Sequence, residues 1–411
     1  QNTNTPTLRF PEFKGSLELK KLGEITEKVN SGKTPLGGEF VYVEKGILFI
    51  RSQNVLDSKL SFENSTFITE KINNTMKNSV VKANDFLLNI TGASLGRSCV
   101  VPNNFTVGNV NQHVCIIRLN KENEPCFIQP IFSSEKGQNI FTSLQTGSGR
   151  EGLNFQSIRG MTLSLPTLPE QQKIATFLTA VDEKLQVLKQ KKSLLEQYKK
   201  GVMQKIFSQE LRFKDDNGNE FPDWEEKKLG EVADFYKGKG LPKSDIVENG
   251  KFKCLHYGEL FTKYKESIVN ILSSTDAFDK PFLSIANDVL MPTSDVTPNG
   301  LATASCINED DVILGGDVLV IRQKIKVFEG LFFSYYVNQY REKVMKLVSG
   351  STVFHLYGSD MKKLEILIPC LEEQTKIATF LSAIDEKINQ CQAQITNTEV
   401  WKKGLLQGMF V

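Results

Sequence analysis

Metal-binding and redox signatures are missing from this chain. Its seven cysteines, at positions 99, 115, 126, 254, 306, 370 and 391, include no Cys-x-x-Cys pair, and its three histidines (His113, His256, His355) stand far apart. That pattern excludes a zinc cluster of closely spaced ligands and fits a reduced, cytoplasmic protein better than a disulfide scaffold. No apolar run reaches the roughly 18 residues of a membrane span, and no charged-then-apolar leader occurs. Net charge is only +2, so a polyanionic partner has to be met by local patches and not by a global field. The sequence begins at Gln1, and a few residues are expected to precede it.

Signatures of catalysis are equally absent. Gly32-Lys33-Thr34 ends like a phosphate-binding loop, but Glu27 stands where the leading glycine is required. Gly147, Gly149 and Gly152 spell Gly-x-Gly-x-x-Gly, yet a helix-like stretch precedes them where a dinucleotide fold needs a strand. Pro222-Asp223 with Glu225 and Lys227 has the residue types of a nuclease metal site, but the carboxylates are too close in sequence to form one. There is no Pro-Pro dipeptide, which removes the Asn/Asp-Pro-Pro-aromatic motif of amino-methyltransferases. No catalytic residue and no metal ligand is assigned, and the histidines are expected to be structural or to contact bases.

What the chain does have is a duplication. Glu170 to Phe207 returns as Glu373 to Phe410 at a constant offset of 203, with 18 of 38 aligned positions identical. Shorter anchors repeat around it. Lys20-Lys21-Leu22-Gly23-Glu24 matches Lys227-Lys228-Leu229-Gly230-Glu231, Phe10-Pro11-Glu12-Phe13 matches Phe221-Pro222-Asp223-Trp224, and Ala83-Asn84-Asp85 matches Ala286-Asn287-Asp288. Between anchors the halves diverge, leaving two unlike blocks of about 150 residues, each the size of one domain.

The repeated segment reads as a long helix. Ile174, Leu178, Val181, Leu185, Leu188, Leu195, Val202 and Ile206 follow a 4-3 spacing interrupted only by Lys192 and Lys199. The second copy places Ile377, Leu381, Ile384, Ile388, Cys391, Ile395, Leu405 and Met409 on the same spacing, with Thr398 and Lys402 as interruptions. Such a stripe calls for a partner helix along most of its length, and the economical partner is the other copy, packed antiparallel. The bland alternative is that each helix packs only on its own domain. Lys189, Lys191, Lys192, Lys199, Lys200 and Lys205 crowd the first helix; a solvated face is their ordinary meaning, phosphate or an acidic partner the rarer one.

Both blocks read as mixed strand and helix. Strands are expected at Ile47–Ile50, Phe86–Ile90, Val114–Leu119, Val289–Met291 and Val318–Arg322, and helices over Pro125–Leu144 and Glu329–Val348. Polar clusters fall at strand ends and turns. The first block offers Arg51, Ser52, Gln53, Asn54, Thr91, Ser94, Arg97, Asn111, Gln112 and His113; the second offers His256, Tyr257, Thr293, Ser294, Arg322, Lys324, Ser351 and Thr352. These residue types read base edges and grip phosphates. Ordinary loops enrich the same residues, so a single cluster says little. Clusters on two diverged blocks within one duplicated frame favour recognition.

The duplicated Glu-Gln-x-Lys-Ile-Ala-x-Phe-Leu helices, each after a Leu-Pro or Ile-Pro ending, closely resemble the specificity subunit of type I restriction–modification systems. The resemblance spans the chain, and Thr91 to Arg97 and Gly316 to Val320 also look like parts of its target recognition domains. One departure is Cys370-Leu371-Glu372 where the first copy has Thr167-Leu168-Pro169. The resemblance implies an α+β fold: two mixed α/β target recognition domains separated by two long antiparallel coiled-coil helices, with pseudo-two-fold symmetry. The segments are then 1–19 (N-terminal), 20–165 and 210–366 (target recognition), and 166–209 and 367–411 (repeated helices). It further implies that each block reads half of a split DNA site and that the chain is not itself an enzyme. The helices become a ruler and a docking surface for two methyltransferase subunits, with restriction subunits outside them. Lys173, Phe177, Asp182, Lys199, Lys376, Phe380, Asp385 and Lys402 are the expected partner contacts. S-adenosylmethionine, ATP and Mg belong to the partners. The alternative is a non-catalytic coiled-coil scaffold tethering two protein-binding domains.

Overall fold

The computed structural model describes residues 5–144, 152–324 and 327–410; Gly147 and Gly149 of the glycine motif lie outside them. The chain divides into two compact units, Gln1–Lys189 with Ala393–Val411, and Gln190–Gln392. Each long helix therefore contributes residues to both units.

In the first unit an antiparallel sheet runs in the order Ser98–Val100, Phe86–Asn89, Val114–Leu119, Thr26–Ser31. Side chains alternate across a strand, and here both faces are covered. Leu87, Val114 and Ile116 pack on Leu48, Ile50 and Val110 of a five-stranded sheet, while Phe86, Leu88, Cys115 and Ile117 face Phe127, Phe132 and the long helix. Double burial explains why these strands read as continuous apolar runs. The second unit repeats the order as Ser305–Ile307, Val289–Pro292, Val318–Gln323, Ala233–Lys237, with Ser267–Ile268 added at one edge. All five expected strands are present. The expected helices are each broken in two. Pro125–Ser133 and Glu135–Leu144 are separated by Ser134, which is extended and whose hydroxyl accepts from Gly137 N (3.1 Å), capping a new helix. Gly330–Gln339 and Arg341–Met345 meet at Tyr340, which leaves the helical conformation (φ -105°, ψ 38°) without a side-chain cap and keeps its backbone N–H on Tyr336 O.

The repeated segments form helices Leu168–Phe207 and Leu371–Met409. In the first unit Ile174, Leu178 and Val181 share a core with Leu405 and Met409, and Leu185 and Leu188 close on Ile395. In the second, Val202 and Ile206 share a core with Ile377, Leu381, Ile384 and Ile388. Early turns of one helix meet late turns of the other, so within each unit the pair runs antiparallel. The stripe also touches its own block, so both packing modes occur together.

The repeated motif is an internal brace. Glu170, almost fully buried, accepts two bonds from Arg9 (2.7 Å each); Glu373, fully buried, accepts from Arg212 (3.1 and 2.7 Å). Gln171 accepts from Glu124 N (2.9 Å) and Gln374 from Glu329 N (2.8 Å), tying each long helix to the helix that follows in its block. The anchors are explained in the same terms. Glu24 and Glu231 cap the backbone at Lys21 and Lys228, and a Cβ on Gly23 or Gly230 would crowd Arg159 or Lys362 at about 3 Å. Asn84 and Asn287 take left-handed conformations (φ 65° and 77°) that Asn tolerates.

All eight side chains expected at partner contacts are engaged within the chain. Lys173 pairs with Glu12 and Lys376 with Asp216; Phe177 packs edge-on against Phe10 and Trp401, and Phe380 against Phe213. Lys402 pairs with Asp182 (2.5 Å), and Lys199 with Asp385 (2.7 Å) and Glu266 (3.2 Å). Phe177, Asp182, Lys199, Asp385 and Lys402 fasten the helix pair, while Lys173, Lys376 and Phe380 fasten each helix to the segment that precedes its block.

All seven cysteines are free, and burial pushes the Cys99 and Cys115 thiols up to about 12, which leaves them unreactive. Among the described residues no helix is long and apolar enough to cross a membrane, and no group of three metal-capable side chains gathers.

Candidate nucleic-acid interface

In the first unit a cleft of about 410 Å³ opens where the chain leaves strands Ile47–Ile50 and Phe86–Asn89. Ser52, Gln53, Thr91, Ser94, Arg97 and His113 line it, so six of the ten expected residues converge. Asn89, buried beneath, donates to Ser52 O (2.9 Å) and Ser94 Oγ (3.2 Å) and fixes both walls. Thr91 Oγ1 lies 2.6 Å from His113 Nδ1, Gln112 Nε2 lies 3.2 Å from His113 Nε2, and Thr34 donates to Gln112 Oε1 (2.5 Å). Gly92 and Gly96 take positive φ (74° and 87°), which lets the 91–97 loop turn tightly at the rim. Arg97, Gln53 and Gln112 are exposed; Arg51 is half-buried, with its Nε unpartnered. Asn54 and Asn111 are buried and accept from Arg51 N (3.0 Å) and His113 N (3.1 Å), which holds the loops.

The second unit builds a related cleft from different residues. Ser294 occupies the repeat position of Thr91, and its Oγ lies 3.1 Å from the Nδ1 of His355, a histidine from another part of the block. The His355 ring stacks at 6.0 Å on Tyr357, and with Thr293, Lys237 and Asp317 these groups line about 480 Å³. Ser351 and Thr352 sit exposed at the tip of the hairpin Ser349–Gly350/Phe354–His355, which pairs with Ser294–Asp295. Asn111 N bonds Ile50 O (3.1 Å) as Gly315 N bonds Leu255 O (2.9 Å), so His256 holds the place of Arg51. His256 and Tyr257 do not line the Ser294 cleft; His256 Nδ1 accepts from Gly258 N (3.2 Å) and Tyr257 packs against the core.

Two further expected readers are also held by bonds within the chain. Arg322 makes a bidentate bond to buried Asp288 (2.8 and 2.7 Å), as Arg118 does to Asp85 (2.6 and 2.7 Å). The hydrogen bond to Asp288 raises the Arg322 pKa against the opposing effect of burial. Lys324 donates to Gly230 O (2.8 Å) at the foot of the block. Arg322→Ala is therefore expected to destabilise its unit by about 3–5 kcal/mol while leaving sequence preference intact, because it strands a buried carboxylate. Arg97→Ala is expected to leave the melting temperature unchanged and, where the guanidinium grips a guanine edge, to cost about 1–3 kcal/mol of discrimination at one base. Thermal unfolding and site mapping on both variants separate the two behaviours.

The type I restriction modification DNA specificity domain matches twice, over residues 15–197 and 222–398. The chain belongs to the type I restriction modification DNA specificity family. Among relatives, the MjaVIII specificity subunit of Methanocaldococcus jannaschii is 25% identical over 349 residues, covering 81% of this chain and 79% of that one. A candidate MjaX specificity subunit of the same organism is 23% identical over 402 residues, 95% and 91% of the two chains. The crystal structure of a type I S subunit from M. genitalium shares the fold, with a TM-score of 0.65 at 15% identity over 99% of both chains. As a specificity subunit the chain contributes DNA sequence recognition, and catalysis lies with other subunits.

Sequence reading missed several contributors to this specificity subunit. His355 and Tyr357 were unassigned because the divergent blocks offer no repeat position to mark them. Arg9 and Arg212 were overlooked although Leu8-Arg9-Phe10 recurs as Leu211-Arg212-Phe213 at the same offset of 203 as the helices. The match of Arg118 to Arg322 was equally readable as a structural pair.

Proposed function

We propose that this specificity subunit reads a split, asymmetric DNA site, residues 20–165 reading one half and residues 210–366 the other. It directs adenine methylation by two methyltransferase subunits and cleavage by restriction subunits, in the cytoplasm where the DNA lies. S-adenosylmethionine, ATP and Mg serve those partners. The observation that carries the reading is one frame with two different linings. Thr91 beside His113 and Ser294 beside His355 stand at equivalent strand ends, as do Arg51 and His256, yet the exposed groups around them differ. Direct readout needs such groups at fixed positions, and unlike linings read unlike bases. In the first block the readers are Arg51, Ser52, Gln53, Thr91, Ser94, Arg97, Gln112 and His113. In the second they are Thr293, Ser294, Ser351, Thr352, His355 and Tyr357.

A gel shift with pooled random duplexes tests this reading. The chain with its methyltransferase partner is expected to enrich an interrupted motif with unlike halves, whereas no enrichment would favour a protein-tethering scaffold. Purified alone, the chain is expected to transfer no methyl group and to cleave nothing, and methylation by the isolated chain would contradict the assignment.

A further inference from the structure

One loop of the first unit exposes its apolar side chains. Leu36 is 97% and Phe40 is 99% exposed, between Lys33 and Lys45, which are also exposed. Single exposed apolar residues are ordinary. Two nearly bare ones on one short loop, beside a polar cleft, are not.

The loop has no inward place for them. It leaves strand Thr26–Ser31 at Gly32, where a Cβ would lie 1.6 Å from Val110 O, and Gly238 of the other unit meets Gly315 O in the same manner at 2.0 Å. Three residues past each glycine, Pro35 and Leu241 are both buried. Pro35 thus fills the inner position, and Leu36 and Phe40 follow outside it. Gly37, at φ 115°, turns the chain between them. The loop is also tied to the cleft: Thr34 donates to Gln112, whose amide reaches His113, whose ring meets Thr91. A duplex seated on the Thr91–His113 cleft therefore meets this loop next.

We propose that Leu36 and Phe40 are an apolar wedge that enters the base stack of DNA beside the half-site read by the first unit. This rests on the reading of that cleft as a DNA interface. Phe and Leu side chains partly unstack a base step and kink the duplex, and a flat ring replaces the lost stacking without reading sequence. Flanking lysines hold the backbone while the wedge enters. The wedge adds affinity and distortion at a position where no polar group of the cleft specifies a base.

The test uses the chain in complex with its methyltransferase subunit and a duplex carrying its mapped site, with 2-aminopurine placed in turn at each step flanking the first half-site. With the native complex, fluorescence is expected to rise several-fold at one step. In the double variant Leu36→Ser/Phe40→Ser the rise is expected to vanish and affinity to fall about tenfold, with melting temperature, site preference and salt slope unchanged. Phe40→Trp is expected to retain the signal. A native complex that binds its site with no fluorescent step overturns the wedge alone, as does a double variant with the native signal. A double variant that fails to assemble with the methyltransferase yet shifts duplex normally assigns the loop to a protein contact instead. A native complex with no site preference overturns the DNA reading itself, and the wedge with it.

Discussion

Replacing Arg212 by Met is expected to lower the stability of the second unit by about 3–5 kcal/mol, a large part of the ~5–15 kcal/mol that holds a domain together. Glu373 is fully buried and draws its bonds from Arg212 Nε and Nη2 and from Trp224 Nε1 (3.2 Å). Without the guanidinium the carboxylate keeps one neutral donor in a site closed to water, and an uncompensated buried charge is among the most costly defects a core can carry. At roughly 2–4 °C per kcal/mol for a unit of this size, the midpoint should drop by about 6–20 °C. Arg212→Met/Glu373→Met removes both charges together and is expected to recover most of the loss. The chain's two tryptophans make this readable, since Trp224 lies in the second unit and Trp401 in the first. In a Trp401→Phe background the fluorescence transition reports the second unit alone. A single variant within 1 kcal/mol of the parent, or a double variant no better than the single, would show that the brace is not what secures the repeated motif.

The second large effect concerns modularity. Exchanging residues 26–160 for the corresponding block of another specificity subunit is expected to replace one half of the recognised site and leave the other half unchanged. The exchange lies inside the strand pair Glu18–Lys21/Thr162–Leu165 and leaves the Glu24 cap in place. Every residue in the cores of the second unit comes from Gln190–Gln392, so its clefts keep their shape. Each mismatched base costs about 1–3 kcal/mol, so two lost contacts already weaken the old site by roughly 30-fold to 10⁴-fold. Competition between old-site and new-site duplexes measures this. Simultaneous change in both halves would contradict independent reading.

The long helices were legible because duplication and a 4-3 apolar spacing are properties of sequence alone, and nearly every stripe residue is buried. The sheet strands were legible for a related reason, since burial on both faces leaves an unbroken apolar run. What the motif residues touch was not legible. Repetition says that Lys173 and Lys376 serve one purpose twice, but it does not name the partner, and the side chains they meet lie about 160 residues away. Recurrence of charged helix positions therefore did not announce the contacts that the chain makes with itself. In the clefts, Thr91 and His113 follow strand ends that could be read, whereas His355 reaches Ser294 through a hairpin that no periodicity announces. The bond of Arg322 was hidden because an arginine at a strand end looks the same in sequence whether its fork meets a guanine or Asp288.

The central claim is that one chain carries two unlike readers that jointly specify where its partners act. It is tested most directly by mapping methylated adenines genome-wide in a host that expresses this chain with its methyltransferase subunit. The account predicts a single interrupted motif, two short specified blocks of different sequence separated by a fixed run of unspecified bases. Methylation at a continuous motif, or at two identical half-sites, would contradict it.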